Sequence, residues 1–261
     1  IERNSWSRHP DEMPTDLREH SSACVTGKIF TFGGSSAGKI SKGVIALDTK
    51  KKELAKWENA APMKLKRCDH RVAVVGEKIF VFGGYSNGKS TKMCEVFSVK
   101  EEKWITDESA LPPPMPTERD DMGIAVIGDR IFVIGGCDND VVSANEMLDT
   151  KANTWIKLTP MKTPRQGLVV AAFDDRFIWT FGGMTRGRKD LDLIEIFDVE
   201  KNEWMTAPIK MTSSRSRPCA VKVDHHKVFI IGGECGHETL DVVEILDIET
   251  LKWTTVSPMT T

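Results

Sequence analysis

Five times along the chain a short apolar run ends in two adjacent glycines: Gly33-Gly34, Gly83-Gly84, Gly135-Gly136, Gly182-Gly183 and Gly232-Gly233. Each pair is followed by a tryptophan, Trp57, Trp104, Trp155, Trp204 and Trp253, and successive tryptophans lie 47, 51, 49 and 49 residues apart. One supersecondary unit is therefore written five times. A repeat of about 50 residues points to a radial architecture, in which no unit buries its apolar faces without a neighbour.

The second unit shows the grammar. His70 to Val75 is apolar and β-branched, Gly76-Glu77 makes a turn, and Lys78 to Phe82 alternates up to the glycine pair. Strong strand formers on either side of a two-residue connection predict a β-hairpin. A loop, YSNGKSTK, leads to a third strand at Cys94 to Val99, and KWIT at 103 to 106 closes the unit. Turns are expected again at Thr26-Gly27, Gly128-Asp129, Asp174-Asp175 and His225-His226, and third strands at NEMLD, IEIFD and VEILD. Two departures stand out. Ile45 replaces the glutamate found at Glu95, Glu146, Glu195 and Glu244, and RFIWTFGG carries one extra residue, which predicts a β-bulge placing Trp179. Positive φ and close backbone approach explain the glycine pairs, and packing between units explains the tryptophans.

Together the hairpin, double glycine, glutamate-bearing third strand and tryptophan resemble the kelch repeat, from about Arg18 to Trp253. The resemblance implies an all-β, kelch-type β-propeller with five complete four-stranded antiparallel blades. Trp6, 51 residues before Trp57, reads as the outer-strand remnant of a sixth blade. The chain is expected to form one domain over 1–261, with the remnant in 1–12 and repeats near 13–61, 62–113, 114–159, 160–209 and 210–261. A closed five-bladed ring is the alternative.

An arginine precedes each innermost strand. Met63, Met115, Met161 and Met211 are each followed four residues later by Arg67, Arg119, Arg165 and Arg215, while Met13 is followed after five by Arg18. In substrate-binding kelch propellers, arginines at this place and the residue after Gly-Gly contact a bound peptide. The resemblance thus implies a face built from these five arginines with Ser35, Tyr85, Cys137, Met184 and Glu234. The alternative pairs each arginine with its acidic neighbours Glu19, Asp69, Glu118, Asp120 and Asp121, which also favour a mixed-charge peptide over a strongly acidic one. Lys39, Lys42, Lys89, Lys92, Arg186, Arg188 and Lys189 read as a solvated edge.

Composition excludes several classes. Net charge is -2, and the basic loops lack interleaved aromatics, which argues against nucleic acid and an anionic membrane surface. No apolar run approaches about 18 residues, and the chain opens inside a repeat, which leaves an upstream targeting segment open. Six cysteines without a CxxC pair read as reduced thiols in the cytoplasm, with cytoskeleton or nucleus as alternatives. One tyrosine cannot furnish a copper-radical oxidase site, sialidase boxes are absent, and the six histidines lack zinc spacing, so no catalysis, metal or cofactor is expected. The resemblance implies a protein-binding module like the recognition domain of a BTB-kelch adaptor of a cullin-RING ubiquitin ligase, with the ligase reached through regions outside this chain. Actin association is the second reading.

Overall fold

The second strands, KIFTF, KIFVF, RIFVI, FIWTF and KVFII, are apolar at successive positions, as suits a strand with sheets packed on both faces. A computed structural model, describing residues 5–7, 9 and 11–260, shows this arrangement. Each unit is a four-stranded antiparallel sheet whose spatial order follows the chain. Blade two, for example, runs through Arg71–Val75, Lys78–Phe82, Cys94–Ser98 and Lys103–Trp104. The innermost strands of neighbouring blades pack on one another about the axis, and the five blades form a β-propeller.

The core is a series of inter-blade layers. Side chains alternate across a strand with period two. Ile79 and Val81 accordingly join Phe30 and Phe32 of blade one, while Phe80 and Phe82 join Ile131 and Val133 of blade three. Four such clusters fill the four junctions between successive blades. Among the described residues no cluster joins blade five to blade one. Phe229, which occupies the place of the buried Phe80 and Phe132, is accordingly half-exposed.

The tryptophans lock each blade to the one before it. Indole Nε1 of Trp104 donates to the carbonyl of Ala61 at 2.7 Å, and those of Trp155, Trp204 and Trp253 to Pro113, Thr159 and Lys210 at 2.8 Å. Trp6 donates to Ser257 at 2.9 Å, so it sits beside blade five as the other tryptophans sit beside their preceding blades. That is the position of an outer-strand remnant of a sixth blade. Residues 1–4, 8 and 10 of the remnant lie outside the described residues.

Two expectations need correction. The extra residue of the fourth unit makes no bulge: Val169–Phe173 and Phe177–Phe181 pair in unbroken register, with Ala171 opposite Trp179. The turn absorbs it instead, Asp174 and Asp175 both taking positive φ (52°) and the Arg176 N–H donating to the Phe173 carbonyl. The stretch after each glycine pair is no plain loop but a small hairpin, such as Tyr85–Ser86 against Lys89–Ser90.

Trp204 is 6% exposed, whereas Trp155 is half-exposed. Trp204→Ala is expected to cost about 3–5 kcal/mol and Trp155→Ala about 2 kcal/mol, as read from urea unfolding. Equal losses would contradict this account of their packing.

Candidate functional site

At one end of the propeller, the segments entering the innermost strands meet the hairpins that follow the glycine pairs. An antiparallel bridge joins them in every blade: Arg18 with Ser35, Cys68 with Tyr85, Asp120 with Cys137, Gln166 with Met184, and Ser216 with Glu234. These bridges set the register. Arg67, Arg119, Arg165 and Arg215 lie one residue before the bridging position, and Arg18 lies on it.

That single residue decides the fate of the side chain. Arg67, Arg119, Arg165 and Arg215 are fully buried, so they are scaffold and not the partner contacts expected from the sequence. Nor do they pair with their acidic sequence neighbours. Each guanidinium instead reaches the third-strand glutamate of its own blade: Arg67 to Glu95 at 2.5 Å, Arg119 to Glu146 and Arg215 to Glu244 at 2.6 Å, and Arg165 to Glu195 at 3.0 Å. Arg67 also donates to the carbonyls of Gly83 and Met93, at 2.8 and 3.0 Å. The remaining carboxylate oxygens are taken up too, Glu146 by the Thr117 hydroxyl and Glu95 by the N–H of Lys64, both at 2.6 Å. Burial pulls Arg119 and Arg165 down to about 10, against the pull of their glutamates, which leaves both charged at neutral pH.

Blade one lacks this pair. By the bridge register Leu17 takes the arginine position, and Ile45, opposite Thr31 as Glu95 is opposite Val81, takes the glutamate position. Both members of the ion pair are thus replaced together by apolar residues. Arg18 is displaced to the surface.

Two residues beyond each arginine position stand Glu19, Asp69, Asp121, Gly167 and Arg217, six after Met13, Met63, Met115, Met161 and Met211. All have left-handed backbones, with φ of 56, 51, 50, 62 and 54°. Their peptides hydrogen-bond from blade to blade: Asp69 N–H to Glu19, Asp121 to Asp69, Gly167 to Asp121, and Arg217 to Gly167, at 2.7–2.9 Å. This ring forms the neck of the mouth. Asp121, 1% exposed, is held by Arg217 Nε at 3.0 Å and lies 3.4 Å from Arg71. Burial, then the neighbouring Asp121 and Glu19, raise Asp69 to about 7. Burial raises Asp120 to about 6 even though it accepts the Ser90 hydroxyl at 2.8 Å, and it pushes the Cys68 thiol up to about 12. The sequence reading missed this ring, although counting six residues from each methionine, and not four, picks it out in all five blades.

Around the neck lie the residues that follow the glycine pairs. Ser35, hydrogen-bonded to Glu19 at 2.8 Å, is half-buried, and Tyr85 is 39% exposed. Cys137, Met184 and Glu234 line a cavity of about 700 Å³ between the hairpins of blades three, four and five, together with Gln166, Asp190 and Arg186. One oxygen of Asp190 accepts the Gly236 N–H at 2.7 Å, while the other is buried without a partner among the described residues. The mouth thus combines an acidic neck, an apolar methionine, an exposed tyrosine and basic hairpin tips.

Comparison with known proteins identifies the scaffold. The chain matches the "KLHDC2/KLHL20/DRC7 Kelch-repeats domain" family over residues 1–177 and 114–261, which together span it. It belongs to the kelch-repeat family. A kelch-repeat domain is a protein–protein interaction module. Relatives include a putative F-box/kelch-repeat protein of Arabidopsis thaliana, 32% identical over 36% of this chain and 38% of that protein. Alpha-scruin of Limulus polyphemus is 28% identical over 42% of this chain and 12% of its own length. A Rho GTPase-activating protein, gacHH, of Dictyostelium discoideum is 36% identical over 34% of this chain and 6% of its own length. The matched segments thus span well under half of these relatives.

Removing one member of a buried ion pair strands the other charge, whereas replacing both by apolar groups removes the desolvation cost. Arg119→Leu is expected to cost about 3–5 kcal/mol, and the double variant Arg119→Leu/Glu146→Ile, copying blade one, should recover most of that loss in urea unfolding. A double variant as unstable as the single would contradict the pairing. For Asp120, a folded-state pKa of about 6 lies above the ordinary 3.8, so the folded state holds the proton more tightly. Stability from this group is present below pH 4 and lost as pH rises through about 6. Asp120→Asn should therefore raise the melting temperature more at pH 8 than at pH 4.5.

Proposed function

We propose that the mouth binds a peptide segment of a partner protein through the hairpins that follow the glycine pairs, with the chain acting as the recognition domain of an adaptor. One observation carries this reading. Positions that build the scaffold repeat from blade to blade, whereas the residue after each glycine pair is different every time: serine, tyrosine, cysteine, methionine, glutamate. A surface that shares a backbone but not its side chains is suited to reading one specific sequence. The cavity of about 700 Å³ falls in the range of small-ligand clefts and can accept side chains of an extended segment. Exposed Tyr85 supplies an amphipathic ring of the kind enriched at binding hot spots. The mixture of acids and bases around the mouth favours a peptide of mixed charge.

The F-box/kelch-repeat relatives support placing the domain in a ubiquitin-ligase adaptor, and a BTB-kelch arrangement is the specific form we propose. Similarity to alpha-scruin and beta-scruin supports the second reading, association with actin. Cosedimentation with filaments separates the two. Both readings place the protein in the cytoplasm, the second at the cytoskeleton.

Selection from a displayed random-peptide library tests the mouth directly. The wild-type domain is expected to enrich a defined sequence motif whose affinity falls as salt rises. The triple variant Tyr85→Ala/Met184→Ala/Glu234→Lys should lose that motif by more than about tenfold in affinity. A control at Lys201 and Glu203, on the outer edge of blade four, should retain it. Enrichment unaffected by the triple variant would place binding elsewhere.

A further inference from the structure

Resting on that peptide reading, we propose that the rim of the mouth over blades one and two docks the acidic part of the peptide, a stretch that carries an apolar side chain beside its carboxylates. Six exposed lysines belong to this sector: Lys39 and Lys42 on the hairpin stretch of blade one, Lys64 and Lys66 on the segment leading into blade two, and Lys89 and Lys92 on the hairpin stretch of blade two. The backbone ties the three pieces together. Met63 and Arg67 donate their N–H groups to the carbonyls of Lys42 and Ser41, at 2.9 and 3.0 Å, while Cys68 and Tyr85 exchange hydrogen bonds at 2.8 and 3.1 Å.

The sector carries no acid of its own. Residues 35–43, 61–66 and 85–93 contain neither aspartate nor glutamate, and among the described residues none of the six ammonium groups makes a hydrogen bond or an ion pair. The bordering acids are Glu19 and Asp69 on the neck and Glu118 on the segment beyond the blade-two hairpin. Elsewhere the rim is different. Blade three presents Asp138 and Asp140, blade five Glu234, Glu238 and Asp241, and blade four mixes Arg186, Arg188 and Lys189 with Asp190 and Asp192. Those charges are partly spent on one another and on a neighbour, Arg186 reaching Asp140 at 3.2 Å and Lys210 reaching Asp192 at 2.9 Å. A chain with a net charge of only -2 therefore collects unpaired positive charge on one side of its mouth, and the local field there attracts an anionic segment.

A second observation separates this sector from a plain solvated edge. Tyr85 and Met93, 39% and 44% exposed, begin and end the hairpin stretch of blade two. Both backbones are held by the scaffold, since the Met93 carbonyl accepts the Arg67 guanidinium at 3.0 Å and the Gly83 N–H at 3.2 Å. Their side chains nonetheless face solvent. Apolar groups with a charged rim are the anatomy of a protein interface. The ring supplies contact area and the thioether adapts to its neighbour, while lysines, point charges on flexible stems, accept carboxylates in many geometries. One exposed ring is too few for the stacking platform that a nucleic acid needs, so the occupant is an acidic and apolar stretch of polypeptide.

Charge reversal in the displayed-peptide selection tests the sector. The wild-type domain is expected to enrich peptides with Asp or Glu beside a hydrophobic residue. Lys39→Glu/Lys42→Glu/Lys89→Glu/Lys92→Glu should enrich lysine or arginine at those places instead, and should bind the wild-type motif about tenfold or more weakly. All four side chains are exposed, so the fold is expected to persist, as urea unfolding checks. The neutral variant Lys39→Gln/Lys42→Gln/Lys89→Gln/Lys92→Gln should fall between the two, with a shallower salt dependence than wild type. Reversing Arg186, Arg188 and Lys189 on blade four should leave the preference for acids in place. A wild-type motif without acids, or one whose acids survive the four-lysine reversal, would overturn this docking site; if that motif is still lost in Tyr85→Ala/Met184→Ala/Glu234→Lys, the peptide reading stands. No enriched motif would sink both. Binding of a single-stranded oligonucleotide or of phosphatidylserine vesicles through the same lysines, as tightly as the selected peptide, would overturn the choice of occupant.

Discussion

The structure depends on a buried arginine that ties two blades together. In blades two to five its side chain binds the third-strand glutamate, and in blades two, three and five also the first glycine's carbonyl of its own blade. Its backbone carbonyl meanwhile accepts the N–H of the second glycine of the preceding blade: Gly34 on Arg67, Gly84 on Arg119, Gly136 on Arg165 and Gly183 on Arg215. The glycines follow from this contact. Gly33 has φ of 54°, and a Cβ there would lie 2.5 Å from the Arg67 carbonyl oxygen. No other residue tolerates both the backbone conformation and the approach. A charged pair in a protein interior is costly unless fully hydrogen-bonded; here both oxygens of each glutamate and both terminal nitrogens of each guanidinium find partners, while the buried Nε of each arginine finds none among the described residues. Blade one, with Leu17 and Ile45, shows that the same backbone closes without the charge. The ion pair therefore acts as a register device more than as a necessity for stability.

Fixing the register in this way separates scaffold from surface. The glycine pair, methionine, arginine, glutamate and tryptophan hold blade to blade, while the chain that emerges after the glycines is free of those demands. Its hairpins can carry Tyr85 in one blade and Glu234 in another because their backbone is set by bridges to the preceding segment and not by their side chains. Inter-blade packing lies beneath them, in layers such as Phe82 against Trp155 with centroids 5.7 Å apart. Substitution at the mouth thus leaves the core untouched, which is the physical condition for a family to change partners and keep its fold.

Most of the fold was legible because alternation and turn chemistry are local. The third strands NEMLD, IEIFD and VEILD run over the residues read from sequence, and the hairpin turns at Thr26-Gly27, Gly76-Glu77 and Gly128-Asp129 are two-residue connections as expected. The extra residue near Trp179 was visible, but its resting place was not. A turn of two aspartates in left-handed conformation absorbs a residue more cheaply than a bulge in a strand packed on both faces. The arginines were misread for a different reason. Periodicity shows that a position recurs, yet a recurring guanidinium can ring an opening or sit beneath it. The sign was in the sequence all the same: glutamate and arginine recur in the same four blades and are missing from the same one. A pair that disappears together is a pair in contact.

The neck is where the fold carries strain that it does not need for packing. Five residues in succession take left-handed backbones, and only Gly167 does so without a steric penalty. Each non-glycine there costs on the order of 1 kcal/mol or more, and glycine at all five places would satisfy the backbone ring equally well. Glu19, Asp69, Asp121 and Arg217 therefore persist for their side chains. Asp121 pairs with Arg71 and Arg217, whose charges also act on Asp69, yet burial, then Asp121 and Glu19, still push Asp69 up to about 7. Three acids, Glu19, Asp69 and Asp121, thus share two arginines, Arg71 and Arg217, which leaves the neck short of positive charge.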